Sequence, residues 1–346
     1  MKYPTLRTLS VALLACAAPL SSFAVSAANC SGLKSGSYAV MNPQDPDPAW
    51  RVNIISVNAE TLVVTDREGD VQLTAGSEPC AFKLPQGGGD LVVSKKGVVM
   101  VRGTWGTDEW WSVGLPLKKA TVADTVGDWN FIRQETNGGT AVTANGVVSV
   151  APDGSFTVSD CLPDGSSCSA AQPVGTMKKF SDGGLKATMT DGGVERFFLA
   201  SQNDGSKLMI GVGLDHDAIT VLAPVRQLGL PTSGEKFAHW QVQRGRNGVL
   251  SGLESASFKV LSVDPATQGF TRKNLQTCRV EAWSVNQGRD GVSRRPGGSF
   301  TDCSDGQVKT FSPNLSLSLR DSFGVSAYGW QTPTSGFFGV SIVKGK

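Results

Sequence analysis

Apolar and polar residues alternate in short segments along most of the chain, and turn residues separate these segments. Residues 315–320 read LSLSLR, with an apolar side chain at every second position. Residues 147–150 (VVSV) and 156–158 (FTV) flank a Pro-Asp-Gly turn at 152–154, where the glycine supplies the positive φ of a hairpin turn. The mature part has no long apolar stripe at helical spacing. This pattern predicts an all-β protein built of barrels or sandwiches.

A short pattern recurs three times along the chain, at residues 54–59 (IISVNA), 147–152 (VVSVAP) and 260–265 (VLSVDP). A glycine closely followed by an aromatic residue precedes each copy. A cysteine follows each copy, and an apolar segment then closes each unit. The shared order of these landmarks indicates a diverged threefold repeat.

The repeat divides the chain into three tandem β-barrel or β-sandwich units of about 100 residues, a normal domain size. We place the units at residues 29–120, 121–228 and 229–346. The chain has 41 glycines among 346 residues, a larger share than the roughly 7% of an average protein, and this excess fits frequent turns. A single β-propeller is the alternative, since seven blades of about 45 residues would fit the length. No blade-length signature supports it.

The first 28 residues have the organisation of a bacterial signal peptide. Basic residues precede an apolar run at 9–18, and the small residues at 25–28 (VSAA) offer a cleavage site. The run is shorter than the ~20 residues of a transmembrane span, so we predict export without a membrane span. Residues 13–16 (LLAC) also resemble a lipobox. We predict a periplasmic or extracellular protein, with an outer-membrane lipoprotein acylated at Cys16 as the alternative.

The charge balance excludes one class of function. The chain has 32 Lys and Arg against 30 Asp and Glu, a formal charge of +2. The signal peptide carries two basic and no acidic residues, so the mature chain has 30 of each and is neutral. A nucleic-acid binder that depends on overall basicity is therefore not expected. The basic doublets, including Arg294-Arg295, are scattered, and we interpret them as solvated strand edges.

Six cysteines remain once Cys16 is set aside. An even number in an exported chain favours disulfides. The simplest hypothesis pairs neighbours in sequence: Cys30 with Cys80, Cys161 with Cys168, and Cys278 with Cys303. Metal binding is the alternative, but no two cysteines have C-x-x-C spacing and both histidines are far from any cysteine in sequence. We predict no metal and no other cofactor.

The common catalytic motifs are missing from the sequence. It contains no G-x-S-x-G, no H-E-x-x-H, no Walker loop and no complete EF-hand loop. His216 stands between Asp215 and Asp217, and the three could bind a metal or transfer protons only if a loop made them converge. We favour a solvated turn there, and a packed or surface position for His239 beside Trp240. No catalytic residue is predicted.

Residues 105–111 (WGTDEWW) concentrate three of the eight tryptophans, namely Trp105, Trp110 and Trp111. Exposed aromatic faces often bind sugars, so these residues are candidates for contact with a glycan or another envelope protein. In a strand Trp110 and Trp111 point to opposite faces. Packing in a core and against a neighbouring unit is the simpler expectation for both.

Gly127-Asp128-Trp129 resembles the G-x-W motif in the first strand of lipocalins, which are up-and-down barrels that hold small apolar ligands. The motif covers three residues, and we carry no function over from it. The sequence favours a non-enzymatic, exported β-protein with a binding or structural role. The alternative is an extracellular glycan-active hydrolase that uses carboxylates, whose spatial separation the sequence does not define.

Overall fold

The computed structural model describes residues 30–85, 88–105, 108–137 and 139–344. The predicted signal peptide and Cys16 lie outside the described residues. The chain is almost entirely β-structure, with short 3-10 helices such as Pro48–Trp50 and Val122–Thr125. No helix within the described ranges is long and apolar enough to cross a membrane. The predicted all-β fold class of tandem barrel units is confirmed.

The first sheet has nine antiparallel strands in the order β4-β3-β2-β1-β9-β8-β7-β6-β5. Leu73 alone separates the two edge strands β4 and β5, so one segment pairs with β3 by its first half and with β6 by its second. The sheet therefore curls back on itself. Its strands are β1 Gly36–Met41, β2 Val52–Asn58, β3 Val63–Asp66, β4 Gly69–Gln72, β5 Thr74–Ala75, β6 Ala81–Lys83, β7 Gly89–Val93, β8 Val99–Trp105 and β9 Asp108–Pro116.

The second sheet is a closed barrel in which eight consecutive strands pair in chain order. Its two longest strands, β10 and β11, form an uninterrupted hairpin ladder. Its strands are β10 Gly127–Asn137, β11 Thr140–Val150, β12 Ser155–Asp160, β13 Gln172–Lys179, β14 Leu185–Met189, β15 Val194–Ser201, β16 Lys207–Gly213 and β17 Ala218–Pro224.

The third sheet is also a closed barrel of eight strands, interrupted by an inserted hairpin between β22 and β25. Closed barrels exclude the blades of the propeller alternative. The unit boundaries at 120 and 228 stay a prediction. The strands are β18 Lys236–Gly245, β19 Glu254–Asp264, β20 Gly269–Asn274, β21 Val280–Val285, β22 Ser293–Arg295, β25 Asn314–Leu319, β26 Val325–Gln331 and β27 Gly336–Val343, with the hairpin strands β23 Gly298–Thr301 and β24 Val308–Phe311.

The structure contains three disulfides, Cys30–Cys80, Cys161–Cys168 and Cys278–Cys303. Each joins two cysteines that are neighbours in sequence, and each lies within one of the three sheets' segments of the chain. The third ties the inserted hairpin, through Cys303 in the turn between β23 and β24, to the connection between β20 and β21. The hairpin is therefore held against the third barrel by a covalent bond.

The main apolar cluster lies between the sheets. Strand β25 shows how it forms, because Leu315, Leu317 and Leu319 on one face are buried while Ser316 and Ser318 occupy the other face. The leucines face outward from the third barrel and belong to one cluster with residues of the first and second sheets. A second cluster fills the interior of the second barrel. The apolar face of the third barrel is thus its outer face, and the other two sheets bury it.

Trp111 marks the contact between the first sheet and the third barrel. Its side chain is buried, and its ring centroid lies 6.1 Å from that of Phe338 on β27. Its neighbour Trp110 is half-buried and packs directly on Gly103, where a Cβ atom would lie 2.5 Å from the indole ring. Adjacent tryptophans therefore serve opposite faces of β9, as the alternation of side chains requires.

We predict that Trp111→Ala and Phe338→Ala each lower the free energy of unfolding by about 3–5 kcal/mol, the usual cost of truncating a buried large aromatic residue. Because the two rings touch, the double variant should cost less than the sum of the single variants. Urea unfolding followed by circular dichroism measures both quantities. Losses below about 1 kcal/mol, or full additivity, would contradict the proposed inter-unit contact.

Candidate functional site

The interior of the third barrel contains a cavity of about 410 Å³. This volume falls within the ~300–1,000 Å³ of known small-molecule sites. The cavity wall combines hydroxyl, amide, aromatic and charged groups, which is unusual for a barrel interior filled only by packing. Side chains that line it include Phe237, His239, Gln241, Phe258, Phe270, Arg272, Arg279, Glu281, Trp283, Ser293, Arg295, Asn314, Ser316, Ser318, Ser326, Tyr328, Phe337 and Ser341.

A comparison with the second barrel explains why the third is hollow. Strands β10, β17, β16 and β15 of the second barrel correspond in order to β18, β27, β26 and β25 of the third. One row of paired residues across the first set reads Arg133, Thr220, Gly211, Phe197. The matching row across the second set reads Gln241, Ser341, Ser326, Ser318.

The row in the third barrel has no aromatic ring at its end. Phe197 is buried in the apolar interior of the second barrel, and its ring lies against Gly211. In the third barrel Ser318 takes the place of the phenylalanine and Ser326 that of the glycine. A large apolar side chain is thus replaced by hydroxyl groups, and the interior opens into a polar cavity.

Glu281 on β21 is the central acceptor of the cavity wall, with a side chain that is 0% exposed. Its carboxylate receives Arg272 Nε at 2.7 Å, Arg295 Nη1 at 2.6 Å and Trp283 Nε1 at 3.0 Å. Arg279 Nη2 lies 2.5 Å from the same carboxylate. Burial alone would raise the pKa of Glu281, but the three guanidinium groups lower it to about 2.

The arginines are also held by aromatic rings, which suits cations in a partly dry site. The guanidinium carbon of Arg272 lies 4.1 Å from the ring centroid of Phe258 and 4.7 Å from that of Trp283. Arg295 lies 4.6 Å from the ring of Phe311, and its Nη2 donates to the carbonyl of Ser312. Burial lowers the pKa of Arg272 and of Arg295, and the carboxylate of Glu281 opposes this shift.

Two further polar side chains are buried in the wall. Burial first, and then the positive charge of Arg272, lowers the pKa of His239 to about 3, so this imidazole is neutral. Its Nε2 lies 3.3 Å from Gln241 Oε1 and donates to that acceptor. The Tyr328 hydroxyl has no hydrogen-bond partner among the described residues, and burial raises its pKa. It stays a neutral donor at every physiological pH.

The cavity reaches solvent where its wall contains exposed residues, namely Gly229, Glu254, Ser312 and Asp321. The linker after the second barrel forms part of this wall. Leu228 of the linker is fixed by the amide of Asn286, which accepts from the Leu228 N–H and donates to its carbonyl, both at 2.9 Å. The opening is therefore framed by well-held backbone segments.

The tryptophan candidates do not contribute to this cavity. Trp111 is buried between units and Trp110 packs on Gly103, so neither presents an open aromatic face. The side chain of Trp105 lies outside the described residues. A sugar-binding role for the three stays a prediction that these contacts do not support.

The Asp-His-Asp segment does not converge on one point. His216 Nδ1 lies 2.6 Å from Asp215, and its Nε2 lies 2.9 Å from Arg133, which is ion-paired to the buried Glu195. Asp217 points elsewhere and accepts two hydrogen bonds from Arg244 on β18. The segment therefore connects the end of the second barrel to the third. Within residues 30–85, 88–105, 108–137 and 139–344, no three His, Cys, Asp or Glu residues are arranged to hold a metal ion.

The sequence interpretation missed the charged residues of the cavity. Arg294-Arg295 was expected at a solvated edge, but only 7% of Arg295 is exposed because it is paired with Glu281. The available signal was a charged residue within each of three short consecutive strands, Arg272 on β20, Glu281 on β21 and Arg295 on β22. Arg272 faces Glu281 directly in the register of β20 and β21. His239 is packed, one of the two positions expected for it.

No protein-family model matches the chain, and no curated protein matches its sequence. A protein of unknown function of the DUF3598 family from Nostoc punctiforme aligns over 65% of this chain and 99% of its own, with 11% identity and a TM-score of 0.23.

Two transferrin-binding protein B structures align over 85% of this chain. The one from Haemophilus parasuis Hp5 is covered to 66% at 8% identity and a TM-score of 0.29. The one from serogroup B Neisseria meningitidis is covered to 63% at 9% identity and a TM-score of 0.27. The chain thus spans about two thirds of their length, and at these scores the likeness carries no argument about function.

We predict that Glu281→Gln lowers the free energy of unfolding by about 3–5 kcal/mol at pH 7, because three buried arginines lose their carboxylate. The pKa of Glu281 is about 2 in the folded protein against an ordinary 4.5. Its contribution is therefore complete above pH 4.5 and is lost as the pH falls towards 2. The stability difference between wild type and variant should narrow over that interval. Glu109→Gln, at an exposed ion pair, is the control and should cost under ~1 kcal/mol.

We predict a second pH effect from His239. The unfolded chain takes up a proton at His239 near pH 6.5, whereas the folded protein does so only near pH 3. Stability is complete above pH 6.5 and falls by up to about 1.4 kcal/mol per pH unit below it. Urea unfolding of wild type and His239→Gln between pH 4 and 7 measures this. Identical pH slopes for the two proteins would refute the buried neutral imidazole.

Proposed function

We propose that this chain is an exported, non-enzymatic β-protein of the cell envelope or the extracellular space, and that its third barrel binds a small polar molecule. The observation that carries this proposal is the cavity of about 410 Å³ inside that barrel. Export is supported by the signal-peptide pattern at residues 1–28 and by three disulfides. Whether Cys16 is acylated does not alter the binding proposal.

The composition of the wall supports binding of a molecule with hydroxyl groups. Serine side chains contribute small donors and acceptors from adjacent strands, including Ser318, Ser326 and Ser341 in one paired row. Phe270 and Trp283 lie on the same wall with ring planes only 7° apart and centroids 6.3 Å apart. Aromatic faces beside hydroxyl groups suit a compact, partly apolar and partly hydroxylated ligand such as a sugar.

The hydrolase alternative finds little support in this cavity. A glycosidase needs one carboxylic acid that is protonated near neutral pH and one ionised carboxylate. Glu281 receives three arginines and has a pKa of about 2, so it does not act as a proton donor. The other acidic lining residues, Glu254 and Asp321, are exposed. Binding without turnover is the function that this arrangement favours.

The test fills the cavity by copying the second barrel. The double variant Ser318→Phe with Ser326→Gly reproduces the Phe197 and Gly211 pair of the second barrel. The mature wild-type protein is titrated with glucose, N-acetylglucosamine, glucuronate and glucose 6-phosphate, followed by calorimetry and by the fluorescence of Trp283. We expect at least one of these to bind with 1:1 stoichiometry, and to bind the double variant at least ten times more weakly.

The control is Ser169→Phe, which adds the same ring at an exposed position of the second barrel. It should bind as wild type does. Circular dichroism and thermal unfolding establish that both variants are folded. If none of the four compounds binds, or if the filled barrel binds as well as wild type, the proposed site is wrong.

A further inference from the structure

We infer that the ligand of the third barrel is an anion, a small hydroxylated molecule whose carboxylate or phosphate group binds beside Arg272, Arg279 and Arg295. This inference rests on the proposed function, because it specifies which molecule the same cavity takes. It follows from the charge of the cluster, from the donors that the protein leaves unused, and from the chemistry of the surrounding wall.

The first argument is the balance of charge. Three guanidinium groups surround the single carboxylate of Glu281, so the cluster carries two positive charges in excess, three minus one. Buried charges are costly unless they are paired. The other charged lining residues are Arg320, which pairs with Glu235 and the exposed Asp321, and the exposed Glu254, which accepts a hydrogen bond from Gln241. An anionic ligand would supply the counter-charge that the chain itself does not.

The second argument is the set of donors with no acceptor. Arg272 donates to Glu281 through Nε alone, and its Nη1 and Nη2 groups make no hydrogen bond to any described residue. The Nε groups of Arg279 and Arg295 are buried and have no partner in the described chain. An arginine with both terminal nitrogens free presents the planar fork that binds a carboxylate or phosphate through two hydrogen bonds.

The Tyr328 hydroxyl is a third unused donor. The residue is 8% exposed, it lines the cavity, and its ring lies over Gly339 on β27, where a Cβ atom would come within 2.5 Å of the hydroxyl oxygen. A neutral hydroxyl buried without a partner costs about 1–3 kcal/mol. A ligand oxygen in the cavity would remove that cost. The orphan hydroxyl and the free guanidinium nitrogens thus both require an acceptor.

The experiment compares ligands that differ in charge and little else. Glucuronate carries a carboxylate where glucose has a hydroxymethyl group, and glucose 6-phosphate carries a phosphate at the same carbon. We expect glucuronate or glucose 6-phosphate to bind the mature wild-type protein at least ten times more tightly than glucose. Whichever of the two charged compounds binds more tightly identifies the anionic group that the site prefers.

The matched variant is Arg272→Gln, which leaves Glu281 paired with Arg279 and Arg295. It should weaken binding of the charged ligand at least tenfold, and it should weaken binding of glucose by a clearly smaller factor. Arg67→Gln is the control because it removes one arginine from the surface of the first sheet. It should change neither the affinity for the charged ligand nor the affinity for glucose.

The outcomes separate this inference from the function on which it rests. One outcome is equal affinity of the wild-type protein for glucose and for the charged compounds, together with weaker binding of all of them by the Ser318→Phe, Ser326→Gly variant. This outcome would refute the anion preference but not the proposed binding site. The absence of binding by all compounds would refute both. If Arg272→Gln does not fold, the wild-type ratio of affinities decides alone: a ratio of at least ten supports the preference for the anion, and a smaller ratio refutes it.

Discussion

The outer face of the third barrel is apolar, and the burial of that face between the sheets is the constraint on which the rest depends. A barrel normally gains its stability from a filled interior, as the second barrel does. In the third barrel Leu317, Val340 and Ile342 pack outward into the cluster shared with the first sheet. Hydrophobic stabilisation is obtained there, so the interior is free to be polar and hollow.

The strands and their alternation could be predicted from the sequence, but not which face would be the inside. The period-two pattern of residues 315–320 correctly indicates a strand with one apolar face. It does not say that the serines, rather than the leucines, face the barrel axis. That assignment depends on whether neighbouring units cover the outer face, which is a long-range property. The turn residues and the period-two pattern are local, which is why the all-β class followed from them, while the choice between barrels and sandwiches did not.

The candidate site was harder to predict for the same reason. Glu281 and Arg295 lie on the paired strands β21 and β22, and their ion pair depends on both side chains facing the interior of the barrel. In sequence they look like ordinary surface charges, because charged residues are mostly exposed. The tryptophans at 110 and 111 belong to a segment rich in tryptophan, but this local composition does not distinguish a packed interface from an open binding face. A residue with a clear local signal is predictable from the sequence, whereas a residue whose role depends on which face of the sheet is the interior is not.

The outward apolar face also limits how the three repeats can be separated. Tandem repeats often behave as modules that can be cut apart, recombined or lost one at a time. A fragment limited to residues 236–343 would present Phe338 and its neighbours to water as one large apolar patch, which favours aggregation. The third barrel therefore depends on the other two sheets for the burial of its apolar outer face.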